Sequence, residues 1–205
     1  MTLFDWDTAQ SADSTEWCPH LPYQNIFVCG TYQVQKKDEE DPPNDASPLT
    51  MRCGRIYIFE MSEILPPQPH QVLDLPAVLD MKWCKQKFSG KILLGVATAT
   101  GEILIFELKD DKTLSKVTGA QIQTDSSKEV LALSLDWSCA KSFQNISNCS
   151  ILVSDSQGGV NLFQLSEETE LFLIKRWEGH TYEAWISAFN YWEPRFLFSG
   201  RQILI

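Results

Sequence analysis

The side chains able to do chemistry in this chain are few, and they do not fall into a familiar catalytic pattern. There are three histidines, His20, His70 and His180, and six cysteines, at positions 18, 29, 53, 84, 139 and 149. Neither a Gly-x-Ser-x-Gly elbow nor a His-Glu-x-x-His pair occurs, so the sequence announces neither a serine hydrolase nor a zinc peptidase. His20 and His70 lie in proline-flanked stretches and read as incidental. His180 follows Gly179 and precedes Glu183 by three residues, which makes both candidates for proton transfer; the competing role for His180 is a structural hydrogen bond. Asp80, Asp136 and Asp155 could activate water, but each sits at a strand edge or turn, where Asp commonly accepts from backbone N–H groups. The catalytic residues stay open, with His180 and Glu183 as the candidates.

Glu183 and Trp185 flank Ala184, so under two-residue alternation their side chains share a face. With Tyr182 they would place a carboxylate beside aromatic rings, a combination that suits an organic cation. The cysteines include no Cys-x-x-Cys pair. Cys18 and Cys84 each follow a tryptophan and Cys139 comes two residues after one, as related positions in repeated units would. Such positions are expected to lie too far apart to share a metal or a disulfide, so we expect free, mostly buried thiols, no metal site and no cofactor.

The elements that must position these residues are strands. A net charge of -10 argues against a nucleic-acid footprint, which needs clustered Lys and Arg. No apolar run reaches the length of a membrane span, and MTLFDWDTAQ has no basic leader region. A cytoplasmic or nuclear protein is the expectation. Residues 33–50, rich in Lys, Asp, Glu and Pro, are expected to be a disordered acidic loop.

Aligning on Trp17, Trp83, Trp137 and Trp192, spaced by 66, 54 and 55 residues, brings out a repeat. Each tryptophan is followed by a break and an apolar strand (NIFVCG, KILLGVATATG, SILVSDSQGG, RFLFSG), and the first three units continue into GRIYIFEM, GEILIFEL and GGVNLFQL. These short runs of β-branched and aromatic residues bounded by turn residues predict strands. Several strands per repeat of this length predict an all-β propeller of the WD-repeat type. Blade-like units are expected near 11–61, 76–108, 128–174 and 180–200, about three and a half blades, with Leu171–Ile174 as an outermost fourth strand. The stretches 109–128 and 140–148 are expected to be loop. The four tryptophans are expected in the core. The Trp-Asp dipeptide is replaced by Phe59-Glu60, Phe106-Glu107 and Phe163-Gln164. An incomplete ring leaves unpaired inner strands, so a C-terminally truncated propeller is the expectation.

The segments DSTEWCP (13–19), VCGTYQ (28–33), VLDMKWC (78–84), LALSLDWS (131–138), SDSQGGVNLF (154–163) and above all EAWISAFNYW (183–192) resemble the WD-repeat family of diphthine methyl ester hydrolases. The resemblance implies hydrolysis of the methyl ester of diphthine on eukaryotic elongation factor 2, a step of diphthamide biosynthesis, with that factor as partner. It carries no catalytic motif onto these residues. The substrate it implies bears a quaternary ammonium, which Tyr182, Glu183 and Trp185 would recognise at the mouth of the propeller channel. The alternative is a non-catalytic WD-repeat scaffold that joins other proteins.

Overall fold

The computed structural model describes residues 5–36, 50–62, 67–124, 128–139 and 149–201. These form four antiparallel sheets in chain order. The first contains β1 (Ser11–Trp17), β2 (Ile26–Lys36), β3 (Thr50–Glu60) and β4 (Pro69–Pro76). The second contains β5 (Val78–Trp83), β6 (Ile92–Thr98), β7 (Glu102–Leu108) and β8 (Leu114–Gln121). The third contains β9 (Ala132–Trp137), β10 (Cys149–Asp155), β11 (Gly159–Leu165) and β12 (Leu171–Glu178), and the fourth pairs β13 (Ala184–Phe189) with β14 (Leu197–Arg201). Each is an up-and-down meander, and β1, β5, β9 and β13 lie next to one another at the inner edge. This is the blade arrangement of an open propeller.

The middle strands are apolar because they are covered on both faces. Every residue of ILLGVAT in β6 is buried, and Leu93, Ile105, Leu135, Ile151 and Phe163 form one continuous core between the second and third sheets. A second core, with Ile56, Met81, Trp83 and Leu104, fills the gap between the first two sheets. The outer strands face solvent on one side, and β4 alternates accordingly. The expected fourth strand at Leu171–Ile174 is the start of β12. The stretch 109–128 is not all loop, because Leu114–Gln121 forms β8 on the edge of β7. Its polar, half-exposed sequence hides a strand that needs only one apolar face. Strands β2 and β3 extend to Lys36 and back to Thr50, so the flanks of the expected acidic loop are sheet; residues 37–49 and 140–148 lie outside the described residues.

The inner strand of each sheet carries an irregularity at one place. The pairing shifts at Asp13 between Ala12 and Ser14, at Leu79 between Val78 and Asp80, at Leu133 beside Asp155, and at Trp185 between Ala184 and Ile186. In the first three sheets this bulge stands four residues before Trp17, Trp83 and Trp137, and in the fourth it stands four residues before Phe189. Phe189, not Trp192, is therefore the repeat equivalent of the tryptophans.

That register corrects the expectation for the four tryptophans. Trp83 and Trp137 are buried, and their indole N–H groups donate to Glu16 O at 3.3 Å and Lys82 O at 2.9 Å, each tying a sheet to the one before it. Phe189 is buried in the same way, whereas Trp192 lies in the turn after β13 and is 82% exposed. Trp17 is half exposed against Phe27, since among the described residues no sheet precedes β1 to receive it.

Candidate functional site

The segment that carries His180, Tyr182 and Glu183 joins β12 to β13 and rests on the turn between β10 and β11. Gly158, at φ +82°, makes this possible: the backbone N–H of His180 donates to Gly158 O at 3.0 Å, and a side chain on Gly158 would run into the carbonyls of His180 and Tyr182. The turn itself is built on Asp155, which is fully buried. Its Oδ1 accepts from the N–H groups of Gln157 and Gly159, both at 2.9 Å, and its Oδ2 accepts from Asn161 Nδ2 at 2.8 Å and Arg176 Nη1 at 2.5 Å. Asp155 is a turn organiser with no capacity left for water activation.

The other two aspartates are also taken by backbone groups. Asp80 accepts from the N–H of Met81 and, across the sheet gap, from the N–H of Leu135, both at 2.9 Å; burial nevertheless raises its pKa above the usual carboxylate range. Asp136 accepts from the Phe189 N–H at 2.8 Å and from the Tyr191 hydroxyl at 2.9 Å. His180 holds Ser199 Oγ at 2.8 Å through Nε2, pinning its own segment to β14. His20 is buried, with Nε2 on Cys84 O at 2.7 Å, and His70 reaches Asp111 O at 2.9 Å.

Tyr182 and Glu183 share a cleft of about 330 Å³ with Lys128, Ser156, Gln157 and Thr181. The ring of Tyr182 is exposed, and the guanidinium of Arg201 lies 5.7 Å from its centroid, so this face already receives a cation. Trp185 does not line the cleft. The bulge at Trp185 breaks the alternation that was expected to put it on the side of Glu183, and leaves both Trp185 and Ile186 exposed. Lys128 also borders a larger cleft of about 730 Å³, lined among others by Arg52, Thr100, Gln121, Glu129 and Val130 and spanned by an Arg52–Glu129 ion pair at 3.1 Å. Nothing in the sequence marks these residues, because turns and strand ends from all of the first three sheets contribute to it.

At the opposite ends of β5 and β9 the structure overturns the expectation that the cysteines are isolated. Cys84 and Cys139 Sγ are 3.2 Å apart, Cys139 and Cys149 Sγ are 2.7 Å apart, and the three sulfurs lie within 4.8 Å of one another. Adjacent blades pack face to face, so residues just past the ends of β5 and β9 meet across the gap. Cys149 adds the third thiol because it stands opposite Cys139 where β10 begins, in line with the Trp137–Ile151 pair. Contact with Cys139, then with Cys84, holds the Cys149 thiol down to about 4 against the effect of burial. Cys139 is pushed well up by Cys149, then by Cys84 and burial. Contact with Cys139 draws Cys84 down, but Cys149 and burial outweigh it and leave that thiol raised.

No protein-family profile matches the chain. Curated relatives do. The chain is 40% identical over 199 residues to a mouse protein named diphthine methyltransferase, covering 95% of this chain and 42% of the relative. It is similar to diphthine methyltransferases. The human protein of that name is 35% identical over 205 residues, covering 95% of the chain and 45% of its own length. The homolog from Dictyostelium discoideum is 32% identical over 209 residues, covering 93% and 51%. The chain thus spans about half the length of the curated relatives it matches. Among the described residues no helix is long and apolar enough to cross a membrane.

Proposed function

We propose that this chain contributes to an enzyme that hydrolyses the methyl ester of diphthine on eukaryotic elongation factor 2. The observation that carries the reading is the likeness, along nearly the whole chain, to proteins named diphthine methyltransferase. In hydrolysis, water adds to the ester carbonyl, the bond to the methoxy oxygen breaks, and methanol and the carboxylate of diphthine leave. The protein must hold the cation of the substrate, deprotonate the water and stabilise the oxyanion.

The cleft beside the β10–β11 turn has groups suited to each task. The ring of Tyr182 offers a face to the quaternary ammonium, displacing or sharing the place of Arg201. Glu183 supplies a carboxylate to that cation or to the attacking water, and Lys128 is the cationic group on the cleft wall. His180 is the second candidate for proton transfer, because its Nε2 is already held by Ser199. Trp185, exposed on the neighbouring bulge, would contact the protein substrate around the modified histidine.

The name of the relatives describes methyl transfer, and one experiment separates the chemistries. Methylated diphthine on elongation factor 2 is incubated with the purified protein, with and without an S-adenosylmethionine donor. Hydrolysis releases one methanol per ester with no donor present. Methyl incorporation that requires the donor would assign a transferase instead, and binding with neither product would leave a scaffold.

A further inference from the structure

We propose that Cys84, Cys139 and Cys149 form a binding site for a thiophilic d10 metal ion, Zn²⁺ or Cu⁺. The three sulfurs converge from the ends of two inner strands and the start of β10, and all lie within 4.8 Å of one another. An ion held at about 2.3 Å from each sulfur sets the sulfurs about 3.8 to 4 Å apart. The separations of 3.2 and 2.7 Å would have to widen by about 0.6 to 1.3 Å to reach that triangle. All three ligands lie in a sheet or close to its end. Cys84 donates its N–H to Leu93 O at 2.8 Å, and Ser138, next to Cys139, donates its N–H to Ser150 O at 2.9 Å, next to Cys149.

The surroundings select for a soft ion. Cys84 and Cys149 are buried and belong to the same apolar cluster as Phe88, Trp137 and Phe163, so hard cations that keep their water shells are disfavoured. Access is through Cys139, which is partly exposed and lines a cleft of about 240 Å³ with Lys82, Lys85, Asp136 and Tyr191. Glu16 also lines this cleft and pairs with Lys82 at 3.4 Å, so the lysines are matched by carboxylates and the charge of the thiolates is met by the ion itself. The open side of the triangle leaves a coordination position for water or an exogenous ligand on Zn²⁺, while Cu⁺ is satisfied by three sulfurs. This site stands at the other end of the inner strands from Glu183 and does not depend on the proposed esterase activity.

The test uses the 205-residue chain, reduced and handled without oxygen. It is titrated with Zn²⁺ and, separately, with Cu⁺, each against a chromogenic chelator. Co²⁺ serves as a spectroscopic probe for Zn²⁺. One equivalent of Zn²⁺ or of Cu⁺ is expected to bind, and which ion wins the competition identifies the resident metal. A sulfur-to-cobalt charge-transfer band should appear in the near ultraviolet. Cys139→Ser should weaken binding at least tenfold, while Cys53→Ser, outside the cluster, should leave it unchanged.

A second measurement does not require any variant to fold: loading the wild-type chain should protect Cys139, the partly exposed thiol of the three, from alkylation, read by peptide mass spectrometry, while Cys53 stays reactive. Substoichiometric uptake of both ions, or alkylation of Cys139 at an unchanged rate in the loaded protein, overturns the proposal. Isolation of the reduced-handled protein with a Cys139–Cys149 disulfide also overturns it, and assigns the cluster to redox chemistry.

Discussion

The hydroxyl of Tyr191 donates to Asp136 Oδ1 at 2.9 Å, joining the turn after β13 to the inner strand of the preceding sheet. Asp136 is buried and also accepts the Phe189 N–H at 2.8 Å, so one carboxylate fixes both the end of β13 and the turn that follows. Asp136→Ala should cost about 2–4 kcal/mol, because it leaves a buried N–H and a phenol without their acceptor. Tyr191→Phe should cost about 1–2 kcal/mol, since it removes one hydrogen bond to a charged group and leaves the other in place. Urea denaturation of the two variants checks the order, and equal losses would mean that the phenol bond carries the whole effect.

The same pair sets a pH dependence. Burial, then the charge of Asp136, raises the Tyr191 phenol to about 12. Between its unfolded value near 10 and that folded value, the native protein holds the proton more tightly than the unfolded chain, so stability is complete below about pH 10 and is lost as pH rises towards 12. Thermal melts from pH 9 to 12 should show this loss in the wild type and a shallower slope in Tyr191→Phe. Parallel slopes would remove Tyr191 from the alkaline limb.

Asp155 is the most heavily used carboxylate in the described chain. Its pairing with Arg176 at 2.5 Å is almost fully buried, and its other oxygen holds the turn on which the His180–Glu183 segment rests. Asp155→Ala should destabilise by about 3–5 kcal/mol, since it strands Arg176 and two turn N–H groups. Asp155→Asn should be milder. A chemical melt in which Asp155→Ala matches the wild type would show that Arg176 finds another partner, such as Glu178 at 3.2 Å.

How much of this was legible in the sequence follows from what each residue depends on. β3, β7 and β11 were readable because GRIYIFEM, GEILIFEL and GGVNLFQL repeat a pattern set by burial on both faces. β8 was not, because LSKVTGAQ needs only a neighbour's edge and one half-covered face. The fourth unit was misaligned because Trp192 imitates the repeat tryptophan three residues beyond Phe189; only the bulge at Trp185 reveals the true register. Tyr182 and Glu183 line one cleft, as their adjacency in the chain implies. The thiol cluster was missed because contact between Cys84 and Cys139 is a property of how blades face one another, which no spacing within one strand records.

The site reading makes a prediction that separates recognition from packing at Trp185. More than half of its surface is exposed, so Trp185→Ala should change stability by no more than about 0.5 kcal/mol while weakening binding of the modified factor. A large stability loss with unchanged binding would return Trp185 to a packing role.

The sharpest test of the cleft lies at Gly158, which touches none of the proposed chemistry itself. Its positive φ and its closeness to the carbonyls of His180 and Tyr182 leave no room for a side chain. Gly158→Ala should therefore cost about 2 kcal/mol or more and push the segment carrying Tyr182 and Glu183 away from Ser156 and Gln157. Glu183→Gln, by contrast, removes only a charge from a solvent-facing side chain and should leave the fold intact. If the cleft is where the ester is cleaved, both variants should lose methanol release, Gly158→Ala with a lowered melting temperature and Glu183→Gln without one. A folded Glu183→Gln protein that retains full turnover would move the chemistry out of this cleft, and the larger neighbouring cleft around Arg52, Lys128 and Glu129 would be the place to look for it.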